Sequence, residues 1–141
     1  MALAKWSTAN DLADIAGAAL NGLGVGSTTT GIADLDNTTA RNLYAIFRIG
    51  LGSINPTGSP SLTLRLFRKV SGVGPDRSAS VFGGESYFIP MIAGSGARVY
   101  DSPIIRLPGP FVFGVEIINN TNVNLAASGN SIIPTVWDED V

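Results

Sequence analysis

The stretch Ser61-Leu62-Thr63-Leu64-Arg65-Leu66-Phe67-Arg68 decides the fold. In an extended chain Leu62, Leu64 and Leu66 fall on one side, and Thr63, Arg65 and Phe67 on the other. A period of two is the mark of a half-buried β-strand. A second such stretch lies just upstream, over residues 43–51. Leu43, Ala45, Phe47, Ile49 and Leu51 share one face, and Tyr44, Ile46 and Arg48 the other. Residues 52–60 lie between them, carrying Asn55-Pro56 and Gly58-Ser59-Pro60, and read as a turn region. The two strands are therefore expected to pair antiparallel across a loop longer than a tight hairpin.

The same pattern continues towards the C-terminus. Residues 71–80 hold Gly72, Gly74, Pro75 and Asp76 and read as a surface loop. A strand over 85–92 contains Pro90, which confines it to an edge or a bulge. Residues 98–106 form a strand interrupted at Pro103. Phe111, Phe113, Val115 and Ile117 then alternate with Val112, Gly114, Glu116 and Ile118. A turn at 119–122 leads to a short return strand at 123–126, a last strand at 131–137, and an acidic tail, Asp138-Glu139-Asp140. Seven or eight short strands at these intervals, with no βαβ alternation, predict an all-β antiparallel sandwich over residues 31–141.

Residues 1–30 read differently, as an N-terminal arm or short helix followed by a flexible loop. Asn10, Asp14, Gly17 and Asn21 recur at helical spacing, with Leu12, Ile15, Ala16, Ala19 and Leu23 opposite. Thr8 and Asp11 resemble a capping box, and Gly22 and Gly24 would end the helix. Gly17 and a mostly Ala apolar face weaken it, so an extended arm is the alternative. Residues 22–30, rich in Gly, Ser and Thr, read as the flexible loop.

Composition removes most chemistry. The 141 residues include no Cys and no His, so disulfides, thiolate metal sites and the usual general base are absent. Nine Lys and Arg against eleven Asp and Glu give a net charge of −2, with the basic residues scattered, which does not fit a nucleic-acid face. No apolar run is long enough for a membrane-spanning helix, and the N-terminus lacks a signal-peptide pattern. Only 14% of residues are charged while 45% are hydrophobic, which points to surface buried against other subunits.

The remaining constellations are weak. Asp34 and Asp36, Glu85, Asp101 and Glu116 match no paired-carboxylate motif. Asp34, Asp36 and Asn37 supply oxygens at i, i+2 and i+3 but lack the Gly and final Glu of a calcium loop. The run from Gly22 to Ser27 lacks the Gly-Lys-Ser ending of a phosphate loop, and neither Lys5 nor Lys69 sits in a Ser-x-x-Lys motif. No catalytic, cofactor or metal site is assigned, and the chain reads as a non-enzyme. Phe67, Tyr87, Phe88, Tyr100 and Trp137 read as packing residues, with a stacking platform for sugars or bases as the alternative. Ile46 and Phe67, beside Arg48 and Arg65, occupy the outer faces of the two best strands. These four are the candidate interface residues, because apolar side chains mixed with Arg mark subunit contacts.

Longer stretches carry a resemblance. Leu107-Pro108-Gly109-Pro110-Phe111-Val112-Phe113, Asn124-Leu125-Ala126-Ala127-Ser128-Gly129-Asn130-Ser131 and Asp36-Asn37-Thr38-Thr39-Ala40-Arg41-Asn42-Leu43-Tyr44 stand in it, with Gly52-Ser53-Ile54-Asn55-Pro56 and the Leu62 strand. Together, over residues 32–135, they resemble the small structural proteins of tailed bacteriophages, nearest the jelly-roll cement or decoration proteins of phage heads. The resemblance implies a virion protein on the capsid surface, assembled in the host cytoplasm. Its partner would be the major capsid protein, and it would form a homo-oligomer, a dimer or trimer. Residues 1–30, the 71–84 loop and the acidic C-terminus would make the contacts. The alternatives are a tail, collar or fibre-base protein, and a carbohydrate-binding module with Tyr87, Tyr100 and Trp137 as its stacking face.

Overall fold

A computed structural model of the chain describes residues 5–69 and 85–140. In chain order the strands are β1 (Lys5–Trp6), β2 (Asn10–Asp11), β3 (Leu35–Asp36), β4 (Tyr44–Ile54), β5 (Ser61–Lys69), β6 (Glu85–Pro90), β7 (Gly96–Asp101), β8 (Ile105–Arg106), β9 (Val112–Asn119), β10 (Ser131–Trp137) and β11 (Glu139–Asp140). Every pairing among them is antiparallel. One sheet runs β2-β10-β4-β7, with β8 alongside β4 beyond the end of β7, and the second runs β3-β9-β5-β6. β7 and β8 act as one strand broken around Pro103, so the eight sandwich strands from β2 to β10 take the orders 1-8-3-6 and 2-7-4-5. That is the winding of a jelly roll.

The alternating strands turn one set of side chains into a single core. Ala45, Phe47, Ile49 and Leu51 of β4 and Ile132 and Val136 of β10 face Leu62, Leu64 and Leu66 of β5 and Phe113, Val115 and Ile117 of β9. Each fully buried side chain of this size contributes about 1.5–3 kcal/mol. Asn119, at the end of β9, is buried with them. Its amide Nδ2 donates to the carbonyls of Leu23 and Val123, and its Oδ1 accepts from the backbone N–H and the hydroxyl of Thr121.

β4 and β5 are not paired, contrary to the expectation from sequence. β4 has β10 on one side and β7 and β8 on the other, and β5 lies between β9 and β6 in the opposite sheet. The turn-rich segment between them carries the chain across the sandwich. Pro56 and Pro60 within it are buried and have no N–H for a hairpin ladder. Their carbonyls accept instead from Gly94 and Met91, after β6.

The helical spacing at 7–24 does not produce a helix, and none occurs among the described residues. The alternative, an extended arm, forms along the open edge of β10. Asn10 and Asp11 pair with Val136 and Thr135, and the Leu12 and Ile15 N–H groups donate to the carbonyls of Pro134 and Ile132. Asp14 then turns the chain by accepting from the N–H of Ala16, while also accepting from Ile132. Gly17 follows at φ 52°, outside the helical region. Of the expected apolar set, Ala16 is buried, Leu12, Ile15 and Leu23 pack against the core and Ala19 is half-buried, while Leu20, outside that set, is fully buried.

Residues 26–29, expected as part of a flexible loop, run beside β9. Gly26 and Thr29 donate to the carbonyls of Asn119 and Ile117, and Thr29 Oγ1 accepts from Ile117. The described part of residues 1–30 thus edges both sheets. The return strand expected at 123–126 is irregular chain, held by a bond from Leu125 N–H to the Leu23 carbonyl and by the Asn119 side chain. The loop expected at 71–84 lies outside the described residues.

Candidate interaction surface

The crossing between β4 and β5 separates the four candidate interface residues. Ile46 and Arg48 lie on the outer face of the β10-β4-β7 sheet, whereas Arg65 and Phe67 lie on the outer face of the β9-β5-β6 sheet. They cannot form one patch. Phe67 is not exposed either, at 6% of its free surface. Its register partner on β9 is Gly114, where a Cβ would stand 2.3 Å from the Phe67 ring. The glycine makes the hollow in which the ring lies, so the aromatic is covered without being in the core.

Beside it, Arg65 and Glu116 face each other across the β5–β9 ladder. Glu116 Oε2 is buried with no hydrogen-bond partner among the described residues. Burial raises the Glu116 carboxyl above the usual carboxylate range, against the opposing pull of the Arg65 charge. At the end of β5, the Arg68 guanidinium lies 3.7 Å from the centroid of the Phe111 ring, and Lys69 Nζ lies 2.6 Å from Asp34 Oδ1.

The outer face of the first sheet mixes apolar and charged groups. Along β4 it presents Tyr44, Ile46, Arg48 and Gly50. β10 adds Ile133, Thr135 and Trp137, and β7 adds Val99 and Asp101. Ile46 and Ile133 are half-buried, and Val99 is 63% exposed. Arg48 and Asp101, register partners, form an ion pair at 3.1 Å in the middle of the face.

One end of this face carries an aromatic cluster. Tyr44 and Trp137 pair across the β4–β10 ladder and stack at 5.8 Å with an interplanar angle of 18°. Trp6 stands edge-on to both, at 5.2 and 6.4 Å. The pairing of β1 with β11 delivers it there: Trp6 is opposite Glu139, and Ser7 exchanges hydrogen bonds with Asp138. Tyr44 donates its hydroxyl proton to Glu139 Oε1, and this bond is the main reason its pKa is raised. Trp6 remains 63% exposed. The sequence pattern offers Trp137 for a platform but not Trp6 or Tyr44, because Tyr44 meets Trp137 only through the β4–β10 pairing and Trp6 reaches them only through the pairing of β1 with β11. Tyr87 and Tyr100 sit elsewhere, on β6 and β7, and lean on the core from opposite sheets. With Trp137 on an outer face, the three expected to stack a sugar do not share a surface.

The acidic positions are engaged locally. Asp34 meets Lys69, and Asp36 accepts from both the hydroxyl and the N–H of Thr38, which holds its carboxyl below the usual value. Asn37 is buried and braces the turn through bonds with Asn42 and the Gly109 carbonyl. The three oxygens therefore do not converge, and no group of three His, Cys, Asp or Glu side chains poised for a metal occurs among the described residues. An open groove of about 510 Å³ runs past Leu43, Arg106, Leu107, Pro108, Gly109 and Glu85. Glu85 there accepts a hydrogen bond from the Tyr87 hydroxyl. No protein-family model and no curated protein matches the chain.

Proposed function

We propose that this protein is a structural component of a virion: a capsid cement protein that binds across neighbouring major-capsid subunits on the head and works by contact surface, without catalysis. The observation that carries this reading is the exposure of large apolar side chains on a low-charge jelly roll. Trp6, Phe88, Ile92, Val99 and Ile104 all stand largely in solvent, spread over both sheets and their connections. The fold itself is neutral, since jelly rolls serve capsids, lectins and cupins alike. What supports a scaffolding role over a binding pocket is that these groups are dispersed over the surface, on strands and on the connections between them.

A cement protein stabilises the assembled shell by binding it better than free capsid subunits. A contact of about 1,600 Å² holds only modestly at one site, while many sites on one shell and more than one arm per molecule make release slow. The test is to add the purified protein to phage heads lacking a decoration layer. Saturable binding at hundreds of copies per head, with a raised temperature of head disruption, is expected. Heads that bind no protein and melt unchanged would refute the reading, and a handful of copies at one vertex would place the protein in the collar or tail.

A further inference from the structure

We infer that the free edge of β7 is a strand-addition site, which takes an extended, acid-bearing segment of another protein as its antiparallel neighbour. The inference deepens the reading of a chain that works by contact surface and rests on it, naming the edge used and the segment that fits.

The ladder with β4 fixes what this edge offers. The Ser102 N–H donates to the Phe47 carbonyl, one step beyond the register pair Arg48–Asp101. Bonded and non-bonded pairs alternate in an antiparallel ladder. Tyr100 and Arg98 therefore turn their backbone groups to Ile49 and Leu51, and Asp101 and Val99 turn theirs away from β4. β7 is the last strand of its sheet, and no described residue bonds these outward N–H and C=O groups. Elsewhere the chain covers such rows with its own extended segments: residues 10–15 lie along β10, and residues 26–29 along β9. Nor is β7 guarded in the usual way, since positions 97–101 hold no Lys and no Pro. β6, at the end of the opposite sheet, finishes in Pro90, which has no N–H to give.

The side chains say what kind of strand fits. Leu51, the register partner of Arg98, is buried, so Arg98 and Tyr100 point to the core side of β7. At the open flank of the sandwich they line a shallow recess with Ile54, Met91 and Ile92. Arg98 is half-buried and belongs to no ion pair among the described residues, and its Nε is buried with no hydrogen-bond partner among them. A cation so placed calls for a carboxylate. On the other side of the strand Val99 is 63% exposed. An antiparallel neighbour exchanges both N–H···O=C bonds with Val99 and with Asp101. Along its own direction it passes Tyr100, then Val99, then Arg98. The fitting segment therefore reads apolar, apolar, acid: one side chain over the recess, one against Val99, and a carboxylate beside Arg98. Main-chain bonds supply the affinity of such an added strand, and alternate side chains its specificity.

The test uses the full chain and a displayed library of random dodecapeptides. In the free protein, hydrogen exchange read by NMR should be fast at the Val99 and Asp101 amides and slow at Tyr100. Peptides selected on the wild type should share the apolar-apolar-acid run, and a synthetic one should slow exchange at Val99 and Asp101. Lys in place of its acid should weaken binding at least tenfold. Val99→Pro removes a donor that β4 does not use and should abolish binding. If circular dichroism shows that this variant does not fold, Arg98→Glu decides instead: it should reject the acidic peptide and accept its Lys form. Val99 and Asp101 amides already protected in the free chain, by its own residues or by a second copy, overturn the inference. So do selected peptides that lack the run, or that perturb Trp6, Tyr44 and Trp137 or the groove beside Arg106 in place of β7. No phage head enters the experiment, so the binding of heads is judged separately by its own test.

Discussion

Glu116 shows how one side chain records its surroundings. Its carboxylate lies on an outer strand face yet is partly buried, with one oxygen unpartnered among the described residues and its pKa raised by that burial. A raised pKa means that the folded chain holds this proton more tightly than the unfolded chain. Stability is then fully present below the unfolded value of about 4.5 and falls as pH rises through the higher folded value. Glu116→Gln removes the titration. We expect the variant to melt a few degrees above wild type near neutral pH and at the same temperature in mild acid, measured by thermal unfolding at both. Phe67 carries a second lesson at this scale. Period-two reading puts it outward, and it does point outward, but Gly114 opposite makes room for its ring. Alternation reports the direction of a side chain and cannot report what the neighbouring strand offers it.

Among the elements, the N-terminal arm is the least expected and the easiest to test. It survives as an edge strand because β10 needs a partner. The outward N–H and C=O of Ile132 are met by Asp14 Oδ1 at 2.8 Å and by the Ile15 N–H at 2.9 Å. Asp14→Ala removes the acceptor shared by Ala16 and Ile132, at a cost of about 1–3 kcal/mol if those groups stay dry. Faster hydrogen exchange at the Ile132 amide is expected, with the β5–β9 amides unchanged. Exchange that rises equally in both sheets would show instead that the arm and the sandwich unfold together. The helical spacing at 7–24 misled because an arm that turns at Asp14 and Gly17 also returns apolar residues to the core every three or four positions. The β4–β5 assignment failed for another reason: a loop with two prolines is as compatible with a crossing as with a wide hairpin.

At the scale of the molecule, the jelly roll joins distant parts of the chain. Asp11 pairs with Thr135, Leu35 with Phe113, and β1 closes on β11 at the two ends. Such non-local pairing makes folding slow, on the scale of ms to s. Stopped-flow refolding should fall in that range, and a submillisecond phase with full amplitude would contradict it. By itself the sequence determined the all-β class, most strand positions, the inward-facing residues and the poverty of reactive groups. All of these follow from local periodicity and composition. Tertiary structure alone decided which strands share a sheet, that Ile46 and Arg65 face opposite ways, that Phe67 is covered, and that Trp6 joins Tyr44 and Trp137. The physical reason is that pairing between strands a hundred residues apart is chosen by the fit of whole faces and edges, and no window along the chain contains both partners.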